Sequence, residues 1–380
     1  MSEDQNNIRK AQAFGQSIWL DSISRDLIDS GRLQELADLG VSGITSNPTI
    51  FDKAISESSD YDESIQRYAR EGRDNAGIFE GLAIEDIRAA ADILRPLYDR
   101  LEGADGFVSL EVNPLLASDT AGTVEEARRL WASVDRPNVM IKVPGTAEGI
   151  PAIRALTSEG ININVTLLFS VQAYRDAANA FIDGLEEYAR KPGADLNGMA
   201  SVASFFVSRV DSAVDRRLGS MSGDGSAAEA QKLQGRAAIA NAKLAYAEFQ
   251  ELFSEGGRFG ELARMGARPQ RTLWASTSTK NPDYPDVMYM DGLIGPHTVN
   301  TAPLETIEAF LDHGTVEETL GSGVQEARAH IQRLEGLGIS MDEVTDELLE
   351  AGVKAFADSF HSLLQRIDEK KARVLSGASD

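Results

Sequence analysis

Apolar and polar positions along this 380-residue chain sort into two kinds of segment. Short, nearly continuous apolar runs recur as SIWLD (17–21), GITSN (43–47), GFVSLEV (106–112), VMIKV (139–143), INVTLLF (163–169), MASVASFF (199–206), RTLWAST (271–277) and VMYMDGLI (287–294). Such runs predict parallel strands, covered by helices on one side and facing a barrel interior on the other. Between them, apolar residues return at helical spacing. After Ser170, for example, Val171, Tyr174, Ala178, Phe181 and Leu185 share one stripe, with Arg175, Asp176 and Glu186 off it. Eight such strand-then-helix units predict an α/β fold, a (β/α)8 TIM barrel. An open doubly wound sheet would more often show five or six strands.

The expected organisation is a single barrel domain over residues 1–380, with a helical excursion near 210–255 and additional C-terminal helices at 320–370. The excursion is interrupted by GSMSGDGS (219–226), whose glycines and serines suit a flexible surface loop. Near residues 350–369, Val353, Phe356, Phe360, Leu363 and Ile367 form one apolar stripe. That helix can pack on the barrel, cover its mouth or meet another subunit, so a homo-oligomer stays open.

Composition narrows the function. With 42% hydrophobic and 26% charged residues the chain is expected to fold, and its net charge of −23 would repel a nucleic-acid backbone or an anionic membrane surface. The absence of cysteine excludes disulfides and a thiol nucleophile and fits a reducing compartment. The polar N-terminus, MSEDQNNIRK, has no apolar core of a leader, and no run approaches membrane-spanning length, so a cytoplasmic location is expected.

Barrel enzymes gather their chemistry at the C-terminal ends of the strands, and polar residues recur there in this chain. Asp21 ends the first run; Thr45 and Asn47 end the second; Glu111 and Asn113 lie near the end of the third. Lys142 is on the fourth, Asn164 and Thr166 interrupt the fifth, Ser204 is on the sixth with Arg209 beyond it, and Ser276 and Lys280 follow the seventh. Each alone has a plain structural reading as a cap, a turn former, an ordinary strand threonine or a solvated charge. Their recurrence on successive strands favours a site.

Lys142 is the sharpest case, because a buried ammonium must be paired or give up its proton. A salt bridge to Glu111 or Asp21 would be the structural outcome. The chemical one is a free amine that attacks a ketone and forms a protonated Schiff base, an electron sink that breaks a neighbouring carbon–carbon bond without metal or organic cofactor. Glu111, Thr166 and a held water suit the proton transfers, and Asp21 suits a base for the β-hydroxyl. Asn47, Asn164 and Ser204 can hold sugar hydroxyls, and Arg209 and Lys280 lie near loops where barrels commonly bind phosphate. His297, His313, His330 and His361 are scattered away from the strand-end carboxylates, so no metal is expected.

The stretches GITSNPTIF, VSLEVNP, MIKVPGT, GININVTLLFS, ASVASFFVSR and PLETIEAFLDHG, running from near residue 15 to beyond 310, strongly resemble the transaldolase family. The resemblance implies an α/β barrel whose Schiff-base lysine is Lys142. It implies Asp21 as acid/base for carbon–carbon cleavage and formation, and Glu111 with Thr166 as the pair working with a catalytic water. Asn47 and Asn164 match asparagines that hold the dihydroxyacetone unit, with Thr45 and Ser204 nearby. Phe206 matches an aromatic pocket position and Arg209 a phosphate-binding arginine. Where many members carry a second such arginine, this chain reads ASTSTKNP, which leaves Lys280 with the charge but not the bidentate fork. FDKAISESSDYDESI and the excursion near 223 resemble the longer bacterial members. The implied partners are sugar phosphates, transferring dihydroxyacetone from sedoheptulose 7-phosphate or fructose 6-phosphate to glyceraldehyde 3-phosphate or erythrose 4-phosphate. Two rivals are a fructose 6-phosphate aldolase that releases dihydroxyacetone to water, and a catalytically silent barrel that binds sugar phosphate.

Overall fold

The computed structural model describes residues 6–221 and 226–376. Eight parallel strands, β1 (Gln16–Leu20), β2 (Gly43–Ile44), β3 (Phe107–Glu111), β4 (Val139–Pro144), β5 (Ile163–Leu168), β6 (Ser201–Phe206), β7 (Arg271–Ala275) and β8 (Thr298–Ala302), pair in chain order. β8 closes the barrel on β1, with Gln16 opposite Thr298 and Leu20 opposite Ala302. The expected (β/α)8 barrel is therefore present, with added C-terminal helices.

The eighth strand is not where the apolar pattern puts it. VMYMDGLI contains the short helix Met288–Asp291, and the strand is the polar-looking TVNTA that follows. A short apolar run fits a buried helix as well as a buried strand, and here tertiary packing decides. Two polar side chains of β8 find backbone acceptors: Thr298 Oγ1 donates to Gly295 O at 2.6 Å and Asn300 Nδ2 to Tyr289 O at 3.3 Å.

Large side chains fill the barrel interior. The Trp19 ring crosses to β2 so closely that a Cβ on Gly43 would stand 2.4 Å from it, which only glycine permits. At the N-terminal end, buried Asp105 accepts hydrogen bonds from Ser17 Oγ and, at 2.9 Å, from Trp19 Nε1, with Arg271 Nη2 3.4 Å away. This polar plug closes the end opposite the strand tips.

The excursion after β6 holds the helices Ser208–Gly219, Ser226–Leu233, Ala237–Leu252 and Phe259–Arg264. The flexible loop expected at 219–226 falls mainly on residues 222–225, which lie outside the described residues. The chain continues through the helix Val324–Gly336 to Met341–Ser376, a 36-residue helix longer than its apolar stripe indicated. Phe356, Phe360, Leu363 and Ile367 of that stripe are buried. No helix among the described residues is long and apolar enough to cross a membrane.

Candidate active site

Lys142 is 4% exposed and projects from the middle of β4 into the C-terminal half of the barrel. Strand register explains its neighbours. Glu111 on β3 and Asn164 on β5 are its direct partners across the sheet, so all three side chains face the same side. Lys142 Nζ lies 3.3 Å from Glu111 Oε2 and donates to Ser46 O at 3.1 Å. The carboxylate contact is an ion-pair distance without hydrogen-bond alignment, and Glu111 Oε2 is buried with no hydrogen-bond partner among the described residues. Burial drives Glu111 from the ordinary carboxylate range up to about 7, against the downward pull of Lys142 and with a smaller upward push from Asp21.

Above this layer opens a cavity of about 290 Å³ lined by Asp21, Thr45, Asn47, Lys142, Thr166, Ser204, Phe206, Arg209, Ser276 and Lys280. Ten of the twelve residues expected at a site thus share one cavity. Glu111 and Asn164 stand behind its wall: Glu111 touches Lys142, and Asn164 accepts from Ser204 Oγ at 2.7 Å while its Nδ2 donates to Ser109 Oγ at 3.0 Å. Asn113, near the end of β3, caps the turn Pro114–Leu116, which is the plain structural reading.

On the β1 side, Thr45 Oγ1 donates to Asp21 Oδ1 at 2.6 Å and lies 2.7 Å from Thr301 Oγ1. Asn47 is both cap and lining. Its Oδ1 accepts from Ile50 N at 3.0 Å, starting the helix Pro48–Glu57, and among the described residues its Nδ2 makes no hydrogen bond. On the β5 side the pairing with β6 slips between Val165 and Leu168, a β-bulge that puts Leu167 at a φ of +61°. A leucine there costs about 1 to 3 kcal/mol, and such irregularities re-aim neighbouring side chains. Thr166 in the bulge is fully buried, and its Oγ1 has no hydrogen-bond partner among the described residues.

The far rim is cationic. Arg209, just beyond β6, sits with its guanidinium 5.3 Å from the Phe206 ring centroid, and among the described residues it makes no hydrogen bond or ion pair. Burial holds it below the usual arginine range, partly offset by Asp21. Lys280 lies on the exposed side, donates to Ser278 Oγ at 2.7 Å, and is lowered first by partial burial of its amine and then by the charge of Arg209. Ser276, at a φ of +55°, ties the end of β7 to the Arg209 helix: its carbonyl accepts from Ser208 N at 3.0 Å and its Oγ lies 3.0 Å from Ser208 Oγ.

Among the lining residues that sequence reasoning missed are Thr301, Ser278 and Phe356. Thr301 is the polar residue at the tip of β8, which the strand-end rule finds once that strand is correctly located. Ser278 lies two residues from Ser276 in a loop with no periodicity. Phe356 belongs to the helix Met341–Ser376, where the apolar stripe marks it as core and says nothing of what it covers.

A family model described as Transaldolase/Fructose-6-phosphate aldolase matches residues 18–367 of this chain. The transaldolase of Thermobifida fusca (strain YX) is 49% identical over 360 residues, covering 94% of this chain and 96% of that protein. That of Thiobacillus denitrificans is 48% identical over 363 residues, covering 95% and 99%. That of Trichodesmium erythraeum is 44% identical over 376 residues, covering 97% and 98%.

Proposed function

We propose, because the chain belongs to the transaldolase/fructose-6-phosphate aldolase family, that it is a transaldolase: it transfers a dihydroxyacetone unit between sugar phosphates through a Schiff base on Lys142. The observation that carries this reading is the Lys142 amine, buried in the cavity wall and 3.3 Å from a carboxylate whose proton affinity lies near neutrality.

An amine must lose its proton before it attacks a carbonyl, and Glu111 is suited to receive it. A neutral lysine beside a protonated glutamate also avoids a desolvated ion pair. Lys142 then attacks the ketone of fructose 6-phosphate or sedoheptulose 7-phosphate. Glu111 and Thr166 work with a water in the loss of the carbonyl oxygen, a role consistent with their two unpartnered buried oxygens. Asp21, held by Thr45, takes the proton of the β-hydroxyl as the carbon–carbon bond breaks toward the iminium. The three-carbon enamine left on Lys142 attacks the second aldose, glyceraldehyde 3-phosphate or erythrose 4-phosphate, and hydrolysis frees the product. Asn47 and Ser204 hold hydroxyls of the three-carbon unit, and Asn164, bonded to Ser204 from behind the wall, joins them where the unit reaches its amide. Arg209 and Lys280, with Ser276 beside them, form the cationic corner that takes the phosphate of donor and acceptor in turn.

Borohydride reduction in the presence of fructose 6-phosphate should add the mass of a reduced three-carbon or hexose phosphate adduct at Lys142, and Lys142→Met should abolish both adduct and transfer. An unmodified Lys142, or a methionine variant that still exchanges three-carbon units, would refute the proposal.

A further inference from the structure

Building on this Schiff-base reading, we infer that Phe356 decides the fate of the three-carbon intermediate, favouring transfer to an aldose over release to water. Phe356 reaches the cavity from the helix Met341–Ser376 and is 5% exposed. Its ring centroid lies 5.8 Å from Lys142 Nζ. Glu111 and Ser46 O contact the same nitrogen. A carbon bonded to Nζ on the ring's side stands one C–N bond of about 1.5 Å nearer, which brings it into van der Waals range of the ring and leaves no layer for water between them.

The ring is fixed in the resting fold. One turn before it, Gly352 lies so close to β5 that a Cβ there would be 3.0 Å from Leu167 Cδ2. One turn after it, Phe360 meets Phe79 edge-on at 5.8 Å, and Phe79 meets Phe51 edge-on at 5.4 Å. Thr49 Oγ1 donates to Ser359 Oγ at 2.9 Å. The roof is thus tied both to the bulged strand and to the helix that follows Asn47.

Shielding acts on one of two competing steps. The enamine carbon holds an electron pair. If a proton reaches that carbon, an iminium forms, water adds to it, the C–N bond breaks, the nitrogen takes the proton of the new hydroxyl, and free dihydroxyacetone leaves. If an aldose aldehyde reaches the carbon instead, the same pair makes the new carbon–carbon bond, and the aldehyde oxygen takes back the proton held by Asp21. An apolar ring over the adduct keeps solvent proton donors from the carbon. The Glu111 and Thr166 side keeps the water that hydrolyses the Schiff base of the finished ketose.

The test is the ratio of free dihydroxyacetone to transferred three-carbon units, measured with fructose 6-phosphate as donor and erythrose 4-phosphate as acceptor. A ratio is insensitive to how much enzyme is active, so a merely structural role would not move it. Phe356→Ala is expected to raise it about tenfold and Phe356→Leu, which keeps part of the cover, by less but at least about threefold. A rise of about threefold or more in a folded variant supports the inference, and a smaller one overturns it. If the alanine variant fails to fold, the leucine variant decides. Failure to trap an adduct on wild-type Lys142 would overturn the Schiff-base reading together with this inference, whereas a trapped adduct with an unchanged ratio overturns this inference alone.

Discussion

Burial raises the proton affinity of Glu111 to about 7, and the neighbouring Lys142 pulls it back only in part. In its proposed role as a proton acceptor the residue works ionised, so kcat/KM should rise with pH through about 7, and Glu111→Gln should remove that limb and lower kcat by about 10² to 10³. Stability should run the opposite way. The folded chain holds this proton more tightly than the unfolded chain, so the residue's contribution is present below the ordinary carboxylate range and is lost as pH rises through about 7. Urea midpoints from pH 5 to 8 should therefore decline less in Glu111→Gln than in the wild type. At this scale much of the site was legible, because a lysine, asparagine or threonine interrupting an apolar strand carries its own signal. Phe356 carried none, since an apolar residue on an apolar stripe reads the same whether it roofs a site or fills a core.

Elements separate into those whose pattern implies their place and those whose place depends on partners. β3 to β6 were recognisable from continuous apolar runs. β8 was not, because its polar side chains meet partners that the closed barrel brings near, Thr298 Oγ1 accepting from Gln16 Nε2 and Thr301 Oγ1 lying 2.7 Å from Thr45 Oγ1. The helix Met341–Ser376 could be seen but not docked, and its position rests on Gly352. Gly352→Val would drive branched carbons against Leu167 and Phe169, and overpacking of this kind costs about 1 to 3 kcal/mol. Thermal unfolding should move down, and KM for fructose 6-phosphate should rise, because the displaced helix carries Phe356 with it. A helix serving only as packing would lower the melting temperature and leave KM unchanged.

For the molecule as a whole, the barrel divides its labour between two ends. The strand tips hold the cavity, and the opposite end is tied by Asp105, Ser17, Trp19 and Arg271. Asp105→Ala should cost about 3 to 5 kcal/mol in urea unfolding, since it strips Ser17 Oγ, Trp19 Nε1 and Gly106 N of their acceptor and leaves Arg271 uncompensated. Its kcat should stay within about twofold of wild type, because stability at the N-terminal end of a barrel is separable from chemistry at the other. Bulk charge gave little guidance to the site: a chain of net charge −23 still concentrates Arg209 and Lys280 at one corner of its mouth. The order in which the parts emerge during translation adds a consequence. Ala302 completes the ring of strands well before Phe356 is made, and at about 5 to 20 residues per second the ribosome needs roughly 3 to 10 s for the interval. A nascent chain can thus hold a closed barrel whose Lys142 lacks its roof for seconds, until the last long helix arrives.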